Sequence, residues 1–186
     1  MEAENIFDAI DFSQNALTEK EYEDCRFVNC DFSNVILSNI KFTECQFMSC
    51  NFSMATLYNT AFREIKFTNC KMLGLHFENC NKNGLSIYFD NSILTHSSFY
   101  KLRLKNTHFI NSKIEGVDFS ETDLTNSIFD NCDLSGAIFD NTILEKVDFR
   151  TSFNYSLNPE LNRIKKAKFS LNGITGLLDK YDIDIS

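Results

Sequence analysis

The sequence predicts an all-β fold, a quadrilateral parallel β-helix of about seven coils followed by a short C-terminal helix. Three observations predict it: a large apolar residue at every fifth position, a small residue two positions before it, and Asn or Gly two positions after it. A period of five belongs to neither an α-helix nor a flat strand. We therefore expect a backbone that turns a corner every five residues.

The large apolar residues form two unbroken series with a step of five. The first series runs from Phe12 to Phe77, and the second runs from Phe89 to Phe149. Between them the frame slips by two residues, near residues 82–86 in the segment NCNKNGLSIYFD. A bulge that re-registers the coil explains such an insertion, and so does a short projecting contact loop.

The other positions of each unit follow from the geometry of an extended chain. Residues two apart face the same side, so each unit points one large and one small side chain inward. Asn and Gly accept the positive φ of a tight turn, so the position two after the centre forms the corner. Four such sides close a coil of 20 residues, and parallel hydrogen bonds join coils about 4.8 Å apart. The predicted corner residues are Asn34, Asn39, Asn59, Asn69, Gly74, Asn79, Asn91, Asn106, Asn111, Gly116, Asn126, Asn131, Gly136 and Asn141.

The chain of 186 residues, 43% of them hydrophobic, predicts a single domain with three parts. We expect an N-terminal cap at residues 1–9, the β-helix at 10–153 and a C-terminal cap at 154–186. In the last part, Ile174, Leu177, Leu178 and Tyr181 recur at helical spacing. A helix there would cover the open end of the coil.

Composition excludes several classes of partner. The net charge of −8 disfavours direct binding to nucleic acid or to an anionic membrane, because both require a basic surface. The acidic N-terminus lacks the features of a secretion signal, and no uncharged apolar run approaches the roughly 18 residues of a membrane span. The sequence therefore predicts a cytoplasmic protein.

Charge is unevenly distributed along the predicted rod. Residues 1–31 and residues 113–149 each carry nine acidic and two basic residues, whereas residues 32–112 carry eight basic and four acidic ones. A solvated surface explains such segments, and a partner surface is the alternative. The second acidic segment supplies the predicted partner surface, which consists of Glu115, Asp118, Glu121, Asp123, Asp130, Asp133 and Asp140.

Residues that could carry chemistry do not converge in this sequence. His76 and His108 occupy outward positions and His96 a corner, and the three share no column of the coil. We find no Gly-rich phosphate loop, no paired carboxylates in a cleft and no nucleophile beside a base. We therefore predict a protein that is not an enzyme and has no catalytic, metal or cofactor site. The seven cysteines fall in the small inward slot, where free Cys packs as a compact apolar residue; they are Cys25, Cys30, Cys45, Cys50, Cys70, Cys80 and Cys132.

Units such as VDFSE, CDLSG, AIFDN and CDFSN resemble the pentapeptide repeat family, whose consensus is a small residue, Asp or Asn, Leu or Phe, and two polar residues. The resemblance covers about residues 10–153. It implies a right-handed quadrilateral parallel β-helix. It implies no particular activity, because most members have none assigned.

The segment LLDKYDIDI resembles the C-terminal element of pentapeptide proteins that protect topoisomerases and are associated with quinolone resistance. In those proteins a C-terminal helix and tail join two rods end to end. The resemblance implies a homodimer whose interface contains Ile174, Leu177, Leu178 and Tyr181.

Two functions follow from these observations. The first is a non-enzymatic rod that acts as a protein-binding scaffold or structural module for an unidentified partner. The alternative, implied by the resemblance, is an acidic DNA mimic that binds a type II topoisomerase such as gyrase and modulates quinolone sensitivity. The basic middle of the rod argues against the mimic; it contains Lys66, Lys71, Lys101, Arg103 and Lys105.

Overall fold

The computed structural model describes residues 5–184 and consists mainly of short parallel strands. Each strand holds three or four residues, as expected for a chain that turns a corner every five. The strands are β1 (Asn5–Asp8), β2 (Glu21–Glu23), β3 (Cys25–Val28), β4 (Lys41–Thr43), β5 (Gln46–Met48), β6 (Ala61–Arg63), β7 (Ile65–Thr68), β8 (Ile87–Asp90), β9 (His108–Ile110) and β10 (Ile128–Asp130). Three 3-10 turns complete the elements, at Phe77–Asn79, Ile174–Leu177 and Asp179–Tyr181.

The strands stack into a four-sided coil, which confirms the predicted parallel β-helix. Face 1 is the sheet β1-β3-β5-β7-β8-β9-β10, and face 4 begins with the sheet β2-β4-β6. Isolated parallel bridges form the other two sides: face 2 includes the pair of Asp11 with Asp31, and face 3 includes the pair of Ile36 with Thr56. Most partners are 20 residues apart, so one coil takes four five-residue units.

A continuous column of aromatic rings fills the core beneath face 1. Successive rings lie 4.7–5.5 Å apart between centroids, with ring planes within 15° of each other. Such offset stacks add stability beyond the burial of apolar area. The rod is therefore packed through its centre. The column consists of Phe7, Phe27, Phe47, Phe67, Phe89, Phe109, Phe129, Phe149 and Phe169.

The small inward slot has a polar function as well as a packing function. Several of its hydroxyl and thiol groups donate to the backbone carbonyl of a large residue in the previous coil. Thr60 donates to Leu37 at 2.8 Å, and the thiol of Cys50 donates to Phe27 at 3.3 Å. Buried polar groups persist in proteins when they are hydrogen-bonded in this way.

The predicted corners adopt positive φ, with Asn34 at 58° and Gly116 at 62°. Asn79 is the one predicted corner that is wrong: it lies in the 3-10 turn Phe77–Asn79, where the chain enters the two-residue insertion. The same corner slot also holds residues for which positive φ is unfavourable, such as Glu44 at 54° and Met54 at 60°.

The frame slip is an insertion on face 4, and it changes the spacing between coils from 20 to 22 residues. Below it Phe47 pairs with Phe67, and across it Phe67 pairs with Phe89. Residues 81–86 form an irregular turn that contains Gly84 at a φ of 72°. The turn lets face 1 continue without a break.

Both ends of the rod extend the coil beyond the regular repeats. At the N-terminus, β1 pairs in register with β3, so Phe7 lies below Phe27. At the C-terminus, Phe169 stacks on Phe149 at 5.5 Å.

The short C-terminal helix is present as two 3-10 turns, Ile174–Leu177 and Asp179–Tyr181. It is not the α-helix that the spacing of Ile174, Leu177, Leu178 and Tyr181 predicts. Close packing at Gly176 accounts for the difference: Leu157 N–H donates to the Gly176 carbonyl at 2.9 Å, and a side chain at 176 would collide with the Tyr155 carbonyl oxygen.

Candidate partner-binding surfaces

The predicted acidic partner surface does not lie on one side of the rod. Asp130 is on face 1, Asp133 on face 2, Asp118 on face 3 and Asp123 on face 4. The others follow the same five-residue frame. Glu115 lies on face 2 two residues after Lys113, the neighbour of Asp133. Asp140 lies on face 3, and Glu121 lies at the corner between faces 3 and 4. The seven carboxylates therefore encircle the C-terminal half of the rod.

Several of these carboxylates already have partners. Lys113 pairs with Glu115 at 2.8 Å, and Lys101 pairs with Glu121 at 3.3 Å. Partial burial opposes ionisation of Asp123, but hydrogen bonds from Thr125 and an ion pair with Lys105 lower the pKa of its carboxyl group.

The recurrence of Asp before the large residue has a local structural cause. Asp118 accepts a hydrogen bond from Ser120 N–H at 2.8 Å, and Asp133 accepts one from Ser135 N–H at 3.1 Å. An Asp side chain that accepts from the backbone two residues later stabilises a turn. These carboxylates therefore hold the coil in shape whether or not a partner contacts them.

The basic middle of the rod also wraps around it. Lys66 lies on face 1 and Lys71 on face 2, while Arg103 and Lys105 lie on face 4. Lys101 occupies the corner before face 4, with a φ of 57°. The positive charge is thus most concentrated on face 4, next to the insertion.

The predicted dimer residues divide into an inward and an outward group. Leu177 packs against the core, and Leu178 is half-buried. Ile174 and Tyr181 are exposed. The Tyr181 hydroxyl donates to Glu160 at 3.1 Å, which fastens the second 3-10 turn to the preceding loop. The inward group, Leu177 and Leu178, packs toward the end of the coil, and the outward group, Ile174 and Tyr181, stays exposed to solvent.

Two further exposed side chains belong to this end of the rod. Leu171 is 88% exposed, and Ile183 is 56% exposed. The predicted set contained neither of them, although Leu171, three residues before Ile174, continues its helical spacing; Ile183 does not. We call Leu171, Ile174 and Ile183 the C-terminal apolar set.

The cysteines are free thiols, and all seven are buried, as the inward slot predicts. Burial raises the pKa of Cys45 and of Cys132 to about 12. Between residues 5 and 184, no three His, Cys, Asp or Glu side chains are grouped to hold a metal ion. Over the same range, no helix has the length and apolar character needed to cross a bilayer.

The histidines are dispersed over the surface, as predicted. His76 pairs with Glu78 at 2.8 Å on face 3, and His108 contacts the Tyr88 ring on face 1. His96 lies at the corner over Gly116.

Face 3 carries an apolar patch that the sequence reasoning did not identify. Ile36 is 72% exposed, Met54 is 61% exposed and Tyr58 is 66% exposed. Ile36 pairs with Thr56 of the next coil, and Met54 and Tyr58 lie two residues before and two residues after Thr56. The Met54 sulfur extends over the Gly74 corner of the following coil, so the exposed apolar side chains run across neighbouring coils. The sequence could have predicted the exposure of Ile36, because this large apolar residue occupies an outward position of the five-residue frame.

The family model for a pentapeptide repeat region matches residues 15–88 and 85–154. The chain belongs to the pentapeptide repeat family. The matched ranges meet at the insertion, where the spacing between coils changes. No curated protein matches the sequence.

One solved structure shares the fold of this chain, and two others have a weaker likeness. The trypsin-treated form of QnrB1, a plasmid-mediated fluoroquinolone resistance protein, has a TM-score of 0.65 and 18% identity, with 98% of each chain covered. Full-length QnrB1 has a TM-score of 0.46 and 22% identity, covering 97% of this chain and 98% of that one. HetL, a pentapeptide repeat protein involved in heterocyst differentiation regulation in the cyanobacterium Nostoc sp. strain PCC 7120, has a TM-score of 0.44 and 15% identity, covering 92% and 91%. At 18% identity, the likeness to the first of these structures concerns the fold alone.

Proposed function

We propose that this pentapeptide repeat protein is a non-enzymatic scaffold that binds a partner protein through face 3. The observation that carries the proposal is the apolar patch of Ile36, Met54 and Tyr58. Contiguous exposed apolar side chains on a soluble surface commonly mark a protein interaction site.

The surroundings of the patch define the chemistry of its partner. Ser38 and Thr56 on the same face are uncharged, and Asn59 donates a hydrogen bond to Asn39 at 2.9 Å along the adjoining corner. On these two coils face 3 is uncharged, and the His76–Glu78 pair lies on the next coil, so the patch suits an apolar surface with polar groups at its rim. The rigid core keeps the patch in a fixed shape, which limits the entropy lost on binding.

Affinity capture from the source cell tests this proposal. The bait variants are wild type, an Ile36→Asp/Tyr58→Asp double variant and an Ile138→Asp control. Ile138 is also on face 3 and 45% exposed, but it lies near the other end of the rod. We expect a stoichiometric partner with wild type and with the control, and its loss with the double variant. An unchanged set of captured proteins in the double variant would contradict the proposal.

We propose further that two copies of the rod associate through the C-terminal apolar set. Leu171, Ile174 and Ile183 are exposed at the end of a rod whose core the cap has already closed. Light scattering on a Leu171→Asp/Ile174→Asp variant tests this. We expect wild type at twice the chain mass of 21.5 kDa and the variant at one chain mass. An Ile93→Asp control on face 2 should remain dimeric. A wild-type monomer would contradict the dimer.

Gyrase binding by an acidic DNA mimic is the second candidate function. Its support is the negative charge of residues 113–149 and the fold shared with QnrB1, a fluoroquinolone resistance protein. Titration of this protein into a gyrase supercoiling assay, with and without a fluoroquinolone, tests it. Inhibition or rescue that disappears when Glu115, Glu121, Asp130 and Asp140 are changed to Lys would support the mimic. No effect at micromolar protein would exclude it.

A further inference from the structure

Face 4 has a break in its hydrogen-bond ladder at the insertion. The insertion bonds to the coil below it, with Asn81 N–H donating to Thr60 at 2.9 Å and Ser86 N–H donating to Phe62 at 3.0 Å. Within the described chain, no backbone hydrogen bond joins residues 80–86 to residues 101–106 of the coil above. Pairing on this face resumes with Arg103 and Asp123. The insertion therefore replaces one rung of the face with an irregular turn.

The two arginines that flank this break differ from those further along the rod. Arg150 pairs with Asp148 at 2.8 Å, and Arg163 pairs with Glu145 at 2.6 Å. Arg63 lies on the coil below the insertion and Arg103 on the coil above it. Neither forms an ion pair or a side-chain hydrogen bond with any residue between 5 and 184, and both are exposed. Two guanidinium groups are thus presented to solvent on either side of one loop.

The loop itself positions the lower arginine. The Arg63 side chain lies across Gly84, with Nε 3.4 Å and Cγ 3.6 Å from the place that a Cβ on Gly84 would occupy. A residue with positive φ and no side chain leaves room for this close approach. Lys82 is exposed in the same loop, between the two arginines along the chain. We call Arg63, Lys82 and Arg103 the face 4 cation group.

Nearby charges do not fully neutralise this group. Lys101 and Lys105, on either side of Arg103, pair with Glu121 and Asp123 of the following coil. Those pairs take up carboxylates that would otherwise reach Arg103.

On the side of Arg63, three acidic residues lie within reach by position. Glu64 follows it in sequence, and Glu44 occupies the same corner one coil below. The carboxylate of Glu21 is held mainly by Lys41, at 2.5 Å. A guanidinium that neighbours carboxylates without pairing with them keeps its donors for another acceptor.

We propose that the face 4 cation group binds an acidic peptide segment of a partner protein, with one carboxylate on Arg63, one on Arg103 and Lys82 contacting the segment between them. A guanidinium presents a planar fork of donors that matches a carboxylate. The backbone positions of the two arginines are about 12 Å apart, from two rungs of about 4.8 Å and two strand residues of about 3.3 Å. An extended segment with carboxylates three or four residues apart spans the same distance.

The net charge of −8 favours a short peptide over nucleic acid as the occupant. A nucleic acid brings a dense row of negative charges against the whole surface, whereas a short segment interacts with the local group. This site is separate from the face 3 patch, so the outcome of its test does not bear on the scaffold proposal.

Fluorescence anisotropy of a labelled hexaglutamate peptide, titrated with full-length protein at low ionic strength, tests the proposal. We expect saturable binding that weakens at least tenfold in an Arg63→Gln/Arg103→Gln variant. The matched control is Arg150→Gln/Arg163→Gln, which removes the same charge from arginines that already have partners. It should bind within twofold of wild type. A Lys82→Gln variant should be weakened severalfold.

Three outcomes would overturn the proposal. The first is no saturable binding by wild type. The second is equal weakening in both double variants, or equal binding of a hexaglutamine peptide, since either means that the arginines give no specific recognition. The third is displacement of the peptide by tripolyphosphate at a lower concentration than by unlabelled hexaglutamate, which would reassign the site to phosphate. Thermal melting of each variant confirms that it is folded.

Discussion

The hydroxyl of Thr122 donates a hydrogen bond of 2.8 Å to the backbone carbonyl of Phe99, one coil earlier. Thr142 repeats the contact with Phe119 at 2.9 Å. At Thr60, Thr122 and Thr142, the small residue therefore connects neighbouring coils in addition to filling space beside the aromatic rings. This explains why Ser, Thr and Cys are common in the slot, because each can donate a hydrogen bond to a buried backbone carbonyl.

The first prediction concerns this connection. Thr122→Val preserves the side-chain shape but removes the donor, so we expect the free energy of unfolding to fall by about 1–2 kcal/mol. Urea denaturation followed by circular dichroism measures the change. Thr56→Val is the control, because Thr56 is exposed on face 3. Equal effects of the two substitutions would show that the buried hydrogen bond adds no stability.

The second prediction concerns the aromatic column. Phe129 stacks on Phe109 at 4.7 Å and on Phe149 at 5.0 Å, and it is 1% exposed. Phe129→Ala should lower the free energy of unfolding by about 3–5 kcal/mol, because it removes buried contacts and leaves a cavity. Phe153→Ala is the control, since that ring is 46% exposed and should cost far less. A negligible cost for Phe129→Ala would mean that the inward register is wrong.

The five-residue periodicity predicted which side chains are buried, because it places them at fixed positions in every unit. One large and one small residue must point inward in every unit, so the positions of Phe129 and Thr122 follow from counting by five. The same count places Phe7 five residues before Phe12, which indicates that the coil begins within the segment expected to form the cap.

The surface was harder to predict because it depends on side-chain contacts between coils. Counting by 20 places Lys101 and Glu121 in one column, but only the structure shows that they pair. Likewise, only the structure shows that Arg103, between Lys101 and Lys105, forms no ion pair with a described residue. The 3-10 geometry near Gly176 accompanies a hydrogen bond from Leu157 N–H to the Gly176 carbonyl, a contact between distant residues that no local pattern reveals.

The third prediction concerns the corner between faces 1 and 2. Ser49 has a φ of 54° in a column where Asn91 donates to Asn69 at 2.7 Å and Asn131 donates to Asn111 at 2.9 Å. Asn tolerates positive φ better than Ser, so Ser49→Asn should raise the free energy of unfolding by about 0.5–1 kcal/mol. Thermal and urea melts measure the gain.

The matched control for that substitution is Ser38→Asn, at a position on face 3 that does not adopt positive φ. We expect no gain there. Stabilisation at both positions would attribute the effect to Asn in general and not to the corner geometry.

The fourth prediction concerns the thiols. Burial raises the pKa of Cys45 and of Cys132 to about 12, so at pH 8 about one thiol in ten thousand is ionised at each position. Because the thiolate is the reactive form, native protein should react with Ellman's reagent at pH 8 far more slowly than unfolded protein. All seven thiols should react rapidly in guanidinium chloride. Rapid reaction of native Cys45 or Cys132 would contradict their burial.

The measurement that tests the central claim most directly is the affinity of the captured partner for three purified forms of the rod: wild type, Ile36→Asp/Tyr58→Asp and Ile138→Asp. Isothermal titration gives each dissociation constant. If the face 3 patch is the binding surface, the double variant binds at least tenfold more weakly, a loss of about 1.4 kcal/mol or more, and Ile138→Asp matches wild type. Equal dissociation constants for all three forms would contradict the claim that the rod binds its partner through face 3.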